Sequence, residues 1–381
     1  MQPRLRAGTE FNDNKRLTLL AHDSVFGSSF EFGGALIYAS EVNAVKLTPR
    51  TRILRYTEDS GVDLDSEDVF VDGLAEHTGE RLGWELRSNF TRDTTLVSEL
   101  ETTGITQVRK IHQSYELSPS VSYLATEYNT IRLGGTYNDV VYEDAENAGL
   151  LDYDYASVSL SDSYTITDRS QLTATVFYSR FEPVGNRSKT ESIGGQAGYQ
   201  WVWSDALQGS VALGYVSNDV QQTEIELQAV QTPFGPFFFP IEVERNTTEG
   251  GLLVDATIEK TLENSLLTGS FRRAVIPTGN GRQNNRDEVR FSARHDFTDR
   301  TQANVGFVYT NSSDQSQGNE ENSRDYFRIE AAWRYRLSER LSLSVSYAHA
   351  RLASTIGDEV ALSNAFFVTL GFDGDKWTLS R

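Results

Sequence analysis

The sequence contains no cysteine and a single methionine in 381 residues. No disulfide can staple the fold, so order must come from hydrogen bonding and packing, and the absence suits an oxidising compartment. No stretch of 18 or more apolar residues occurs, which excludes a transmembrane helix. Histidine is scarce: His22, His77, His112, His295 and His349 stand in no Ser/His/acid arrangement, so no enzyme and no cofactor is expected. Bases are outnumbered, 35 Lys and Arg against 54 Asp and Glu, for a net charge of −19. An acidic exterior of that kind disfavours nucleic acid. Met1-Gln-Pro-Arg4 has no apolar core and is no signal peptide, so the reading expects a leader removed before this point.

What the sequence does have is alternation. From Leu341 the chain reads Leu-Ser-Leu-Ser-Val-Ser-Tyr347, with every second residue apolar. A period of two marks a strand with one apolar and one polar face. Just upstream, Phe327, Ile329, Ala331, Trp333, Tyr335 and Leu337 form a second apolar face, opposite Arg328, Glu330, Arg334 and Arg336. Ser338-Glu-Arg340 joins the two as a short turn. The same sentence recurs at Tyr164-Thr-Ile-Thr-Asp-Arg169 and His295-Asp-Phe-Thr-Asp-Arg300, and more loosely at Tyr123-Leu-Ala-Thr-Glu127 and Trp203-Ser-Asp205. The turn acids are spaced by about 40 residues, so each repeat is one hairpin plus one longer loop. A β-propeller repeats at a similar interval, but no four-strand grouping and no Gly-His…Trp-Asp signature is seen.

Aromatic rings crowd the strand ends: Tyr199, Trp201 and Trp203 on one, Trp333 and Tyr335 on another, Tyr123 and Tyr164 on two more. A membrane interface selects that placement. Strands of about 10 residues with short turns on one side and long loops on the other describe a transmembrane β-barrel. The prediction is one all-β domain over residues 1–381. It is an antiparallel up-and-down barrel of about 18 strands, with short periplasmic turns, longer extracellular loops and both termini in the periplasm. The strand near 69–76 is ambiguous in register. Pro119 should break the ladder or cause a bulge. Strict alternation faces Asp162 to lipid, a costly place for a carboxylate.

Three stretches carry the resemblance to a known family. They are Pro3-Arg-Leu-Arg-Ala-Gly-Thr-Glu-Phe-Asn-Asp-Asn14, the Tyr-x-Leu-Ser-Glu-Arg type hairpins, and Asn364-Ala-Phe-Phe-Val-Thr-Leu370 followed by Trp377-Thr-Leu-Ser-Arg381. Together they resemble the outer-membrane β-barrel porins of proteobacteria in the porin 2 group, some of which accompany exopolysaccharide operons. The resemblance spans the whole chain and implies the fold and a Gram-negative outer-membrane location. It implies no catalytic residue and no particular solute.

A barrel of this size encloses water. Residues expected to line it are Arg4, Arg6, Lys46, Arg50, Arg52, Arg87, Lys110, Arg132, Arg272, Arg290, Arg294, Arg328, Arg334 and Arg336. The acids assigned beside them, Glu10, Glu85, Glu116, Asp255, Glu259, Glu288, Asp296 and Glu330, are fewer. A surplus of arginine favours anions, although Arg–acid ladders that merely stiffen the wall would look the same. The expected traffic is small polar or anionic solutes, saccharides or an exported exopolysaccharide among them. The expected surroundings are membrane lipid and lipopolysaccharide. The loop Gln231-Thr-Pro-Phe-Gly-Pro-Phe-Phe-Phe-Pro240 is a candidate constriction through Phe234, Phe237, Phe238 and Phe239. If it seals the pore, the barrel is a structural, adhesive or assembly protein instead. Asp63, Asp65 and Glu67 are a weak calcium candidate without an EF-hand pattern. No flat apolar subunit contact can be assigned, so the oligomeric state stays open.

Overall fold

The computed structural model describes residues 2–19, 22–96, 109–144, 148–185, 188–232, 235–314, 323–354 and 359–375, with backbone alone over 224–239 and at 242, 314, 354 and 359. Its strands are β1 (Gln2–Asn12), β2 (Val25–Ala39), β3 (Asn43–Tyr56), β4 (Ser66–Thr78), β5 (Leu82–Thr94), β6 (Ile111–Thr126), β7 (Asn129–Glu143), β8 (Tyr153–Thr167), β9 (Ser170–Pro183), β10 (Ser188–Ser204), β11 (Leu207–Thr232), β12 (Gly235–Leu262), β13 (Ser265–Pro277), β14 (Gln283–Thr298), β15 (Thr301–Asp314), β16 (Ser323–Arg336), β17 (Leu341–Ser354) and β18 (Glu359–Asp373). Each pairs antiparallel with its neighbours in sequence, and β1 pairs with β18 from Arg4↔Asp373 to Asn12↔Ala365. The sheet therefore closes on itself as an 18-stranded barrel. Closure pairs the backbone groups of both outer strands, which an open sheet would leave bare.

The recurrent turn motif has a local cause. A Ser or Thr two residues before the turn's second residue accepts that residue's N–H: Thr126 from Tyr128, Thr167 from Arg169, Ser204 from Ala206, Thr298 from Arg300 and Ser338 from Arg340. Hydroxyl caps of this kind favour tight reversal. At four of these five turns the ladder also slips beside the cap, at Leu124/Thr126, Thr165/Thr167, Val202/Ser204 and Asp296/Thr298. The bulges sharpen local twist at the rim.

Register assigns the faces. Phe30, Phe32, Leu160, Val176, Leu213 and Leu370 point out and are exposed. Two rings of aromatics bound this apolar band. Trp84, Tyr123, Tyr164, Tyr199 and Trp333 mark the short-turn side, and Phe11, Tyr115, Tyr137, Tyr178 and Tyr215 the other. On β6 the two rings are set apart by Tyr115 and Tyr123, about 27 Å along the strand and so roughly 20 Å of height in a tilted barrel. The ambiguous strand is resolved: Lys46↔Leu74, Arg50↔Phe70 and Arg52↔Asp68 put Phe70, Asp72, Leu74 and Glu76 inside, and Val69, Val71 and Ala75 outside. Pro119 interrupts the β6–β7 ladder without changing its register, since Leu117↔Tyr137 and Ser120↔Gly134 stay in step. Asp162 does lie on the outer face, between Ile131 and Ala174, because the bulge that could have turned it inward comes only at Thr165/Thr167.

The β1–β18 seam is locked by the Asn12-Asp13-Asn14 segment. Asn14 Nδ2 donates to Thr18 O at 2.9 Å and Leu362 O at 3.0 Å, and Asn14 Oδ1 accepts from Thr18 N. Asp13 accepts from the N–H and side-chain amide of Asn364, and Asn12 Oδ1 from Ser363. Asn14 is 2% exposed, so its loss leaves buried carbonyls without donors. Asn14→Ala should lower the urea stability of the liposome-reconstituted barrel by about 2 kcal/mol, whereas an Asn264→Ala control at the exposed β12–β13 turn should leave it within about 0.5 kcal/mol.

Candidate functional site

The inner wall gathers most of the arginines expected there. Arg52 is held by Asp68 at 2.7 Å, Arg87 and Arg132 by Glu85 at 3.0 and 3.1 Å, Arg290 by Glu288 at 2.5 Å, Arg294 by Asp296 at 3.0 Å and Arg328 by Glu330 at 2.9 Å. Arg6 and Arg50 share Glu31 at 3.6 and 3.4 Å, and Arg4 and Arg334 share Asp373 at 3.7 and 3.8 Å. Arg272 lies level with Asp255 and Glu288, Lys46 with Ile37 and Leu74, and Arg336 with Ser342. Lys110 is the exception: it precedes β6 and donates to the Asp144 carbonyl at the loop rim.

Several inward acids escape a reading of the sequence: Glu31, Asp68, Asp72, Glu76, Asp93, Glu249 and Asp373 share the inner face with the cations. Against them Arg245, Arg286 and Arg324 are added to the bases. The apparent surplus of positive charge over the whole lumen is therefore nearly cancelled. Asp68, Asp72 and Glu76 were hidden by the uncertain register of β4, and Asp373 by lying at the strand's last position. In contrast, the inner faces of β8 to β11 carry no Asp, Glu, Lys or Arg among the described side chains, only residues such as Ser157, Ser159, Ser161, Thr175 and Gln196.

The long-loop end is narrowed from inside. Inner-face residues there are buried all around the barrel: Glu10 and Val25 on β1–β2, Asp68 and His112 on β4–β6, Ser179 and Asn218 on β9–β11, Thr310 and Tyr326 on β15–β16. One filler is the β1–β2 loop, whose Leu17 packs on Tyr326, Leu352 and Ala361. The other is the tip of the β13–β14 hairpin. The β12–β13 ladder stops at Val254↔Arg273, yet β13 and β14 stay paired to Pro277↔Gln283. Beyond that point the hairpin leaves the wall. The flank of Gly251 that would carry a Cβ faces Val216 on its own side and Val275 and Asn285 of the hairpin. Ser192 of β10 bonds to Gln283, and Gly279 O accepts from Leu151 N of the β7–β8 loop at 2.7 Å, a third of the way round the barrel. A Cβ at Gly279 would meet the Tyr142 hydroxyl at 2.5 Å, so only glycine lets the tip seat there. The Pro-Thr-Gly-Asn-Gly run at 277–281 was the available signal.

The aromatic candidate at 231–240 behaves differently. The backbone of β11 and β12 stays in register from Leu207↔Lys260 to Thr232↔Gly235, with Phe237, Phe238 and Phe239 in the ladder. The neighbouring β10 ends its pairing at Ser188↔Gln222, so the last part is a two-stranded ribbon rising past its neighbours. Phe234, and the side chains of Phe237 to Phe239, lie outside the described residues. Of the calcium candidates, Asp63 caps Asp65 N, while Arg55 reaches Asp65 at 3.6 Å and Glu67 at 2.6 Å. No cluster of three metal-ligating side chains occurs among the described residues.

A neighbouring acid ties the loops together. Asp59 is fully buried, accepts from Arg16 Nε at 2.7 Å and from Asp23 N at 2.7 Å, and so joins the β3–β4 loop to the β1–β2 loop. Burial pushes its carboxyl up, but the bonds from Arg16 and Asp23 and the charges of Arg16 and His22 outweigh this and hold it below the ordinary value.

Comparison with known proteins gives structural likeness only. No family model matches, and no curated protein matches in sequence. Among solved structures, Pseudomonas aeruginosa OccK5 (OpdH) is 10% identical, with 99% of this chain and 98% of that one covered at a TM-score of 0.45. Acinetobacter baumannii OccAB2 is 10% identical, with 100% and 98% covered at 0.46. The Neisseria meningitidis FrpB iron transporter is 8% identical at 0.49, and this chain spans 62% of its length.

Because the Asp59 carboxyl is held low in the folded state, its contribution is present above the unfolded value and is lost as pH falls through the folded one. Loop 13–24 should therefore resist protease near neutral pH and become cleavable below about pH 4. Asp59→Asn should make it cleavable at neutral pH with the barrel itself intact.

Proposed function

We propose that this protein is a Gram-negative outer-membrane channel for small polar and anionic solutes, with a mouth narrowed by the β13–β14 tip. One observation carries the reading. The barrel wall is apolar outside between two aromatic rings, and inside it is lined by charged side chains that need water. Lipid outside and water inside is the pairing that such a wall suits. The uncharged arc of β8 to β11 facing an ionic arc suits solutes that carry hydroxyls as well as charge, saccharides among them. In this reading the outer band meets membrane lipid, and the outward Arg351 above it meets lipopolysaccharide headgroups.

A second reading, a sealed barrel with a structural or assembly role, is favoured by the ring of buried inner residues at the mouth. Planar-bilayer conductance separates the two. The intact protein should give a small, stable conductance, and replacing Thr278 to Arg282 with a two-residue turn should raise it several-fold. A silent intact protein that opens only in the shortened variant means the hairpin is a plug. Silence in both removes the channel reading.

A further inference from the structure

Seven inner arginines, Arg52, Arg87, Arg132, Arg286, Arg290, Arg294 and Arg328, each have a carboxylate at 2.5 to 3.1 Å. A small group near the short-turn rim does not. Arg4 of β1 and Arg334 of β16 converge on one carboxylate, Asp373, at 3.7 and 3.8 Å. Those distances exceed a hydrogen bond of about 2.9 Å, so neither guanidinium is saturated. Arg334 gives one N–H to Ser342 Oγ at 3.0 Å. Arg336 has no carboxylate within ion-pair range among the described residues, and its row runs Arg336↔Ser342↔Gly371↔Arg6.

We infer that Arg4, Arg334 and Arg336 form an oxyanion-binding site on the lumen wall, with Ser342 and Gly371 as its floor. The inference rests on the lumen being water-filled, as the proposed channel requires. Apart from Asp373, the strands between the arginines, β17 and β18, present only small uncharged residues inward here. A Cβ on Gly371 would already meet Ser342 Oγ at 3.2 Å, so the floor is kept low by glycine. Beside this row opens a cavity of about 880 Å³ that Arg4, Arg294, Arg300, Arg334, Arg336 and Asp373 line. Arg294 is kept by Asp296, and Asp299 and Glu339 stand at the turn margin. Side chains of Arg4, Arg334 and Asp373 are 48%, 46% and 41% exposed, so a solute reaches them. Each guanidinium offers five N–H donors in a planar fork that fits a carboxylate or a phosphate with two bonds. Asp373 is then the resident competitor, holding two forks loosely until a solute's oxyanion replaces it.

The test is calorimetric titration of the full chain in detergent micelles with inorganic phosphate, and in a parallel arm with acetate. The wild type should bind phosphate, and Arg336→Gln or Arg334→Gln should weaken binding about tenfold. Asp373→Asn, which removes the competitor, should strengthen it several-fold. Binding of both anions makes the site a general oxyanion site, and binding of phosphate alone makes it selective for phosphoryl groups. No binding of either, or binding weakened equally by Asp373→Asn, overturns the site and leaves a structural ion cluster. Titration needs no conduction: a protein that binds and never conducts loses the channel reading and keeps the site, and one that conducts without binding does the reverse.

Discussion

The structure depends on one requirement: no backbone N–H or C=O may be left unpaired in hydrocarbon. Every strand has two partners because β1 meets β18, and that meeting fixes the rest. It sets the alternation of faces, the even strand count and the placement of all short turns on one rim. It also explains why the chain manages without disulfides or a conventional core. The buried apolar clusters are few and small, one around Val140, Tyr142, Leu150 and Phe181, the other around Leu17 and Tyr326. Both sit at the loop end, where they hold folded-in segments rather than the wall.

The barrel itself was legible in the sequence because period-two alternation and a repeated turn phrase are local signals. The strand count and the outward face of Asp162 followed from them. The lumen's charge balance did not. Inward acids on β4 could not be counted until Arg52↔Asp68 settled the register, since a slip of one residue exchanges the two faces. The in-folding of the tip at 277–283 was signalled only by its Pro-Thr-Gly-Asn-Gly run, which marks a turn and not its direction. Its cause is where the β12–β13 ladder ends, at Val254↔Arg273, which pairing decides and composition does not. Hydrophobicity such as that at 231–240 is conspicuous in a sequence, whereas one glycine, Gly279, seated against Tyr142 and Leu150 is not.

The lumen is thus divided in two ways. Around its circumference, an arc of hydroxyls and amides on β8 to β11 faces an arc of ion pairs. Along its axis, the long-loop end is packed while the short-turn end is open, with Arg4 and Arg334 loosely paired to Asp373. Arg4, Arg334 and Asp373 belong to the second kind of wall, and Arg52 with Asp68 to the first. At the mouth, burial removes competing water and strengthens the contact of Arg52 with Asp68.

The seam also orders events in time. Asn14 binds the carbonyl of Leu362 across 348 residues of sequence, a contact that cannot form until the final strand is in place. The same side chain fixes Thr18, next to the Leu17 that fills the mouth. Folding of the lid is therefore conditional on completion of the wall. An unfinished barrel has no ordered lid to lock, so the lid acquires its shape last and carries a record that assembly is complete.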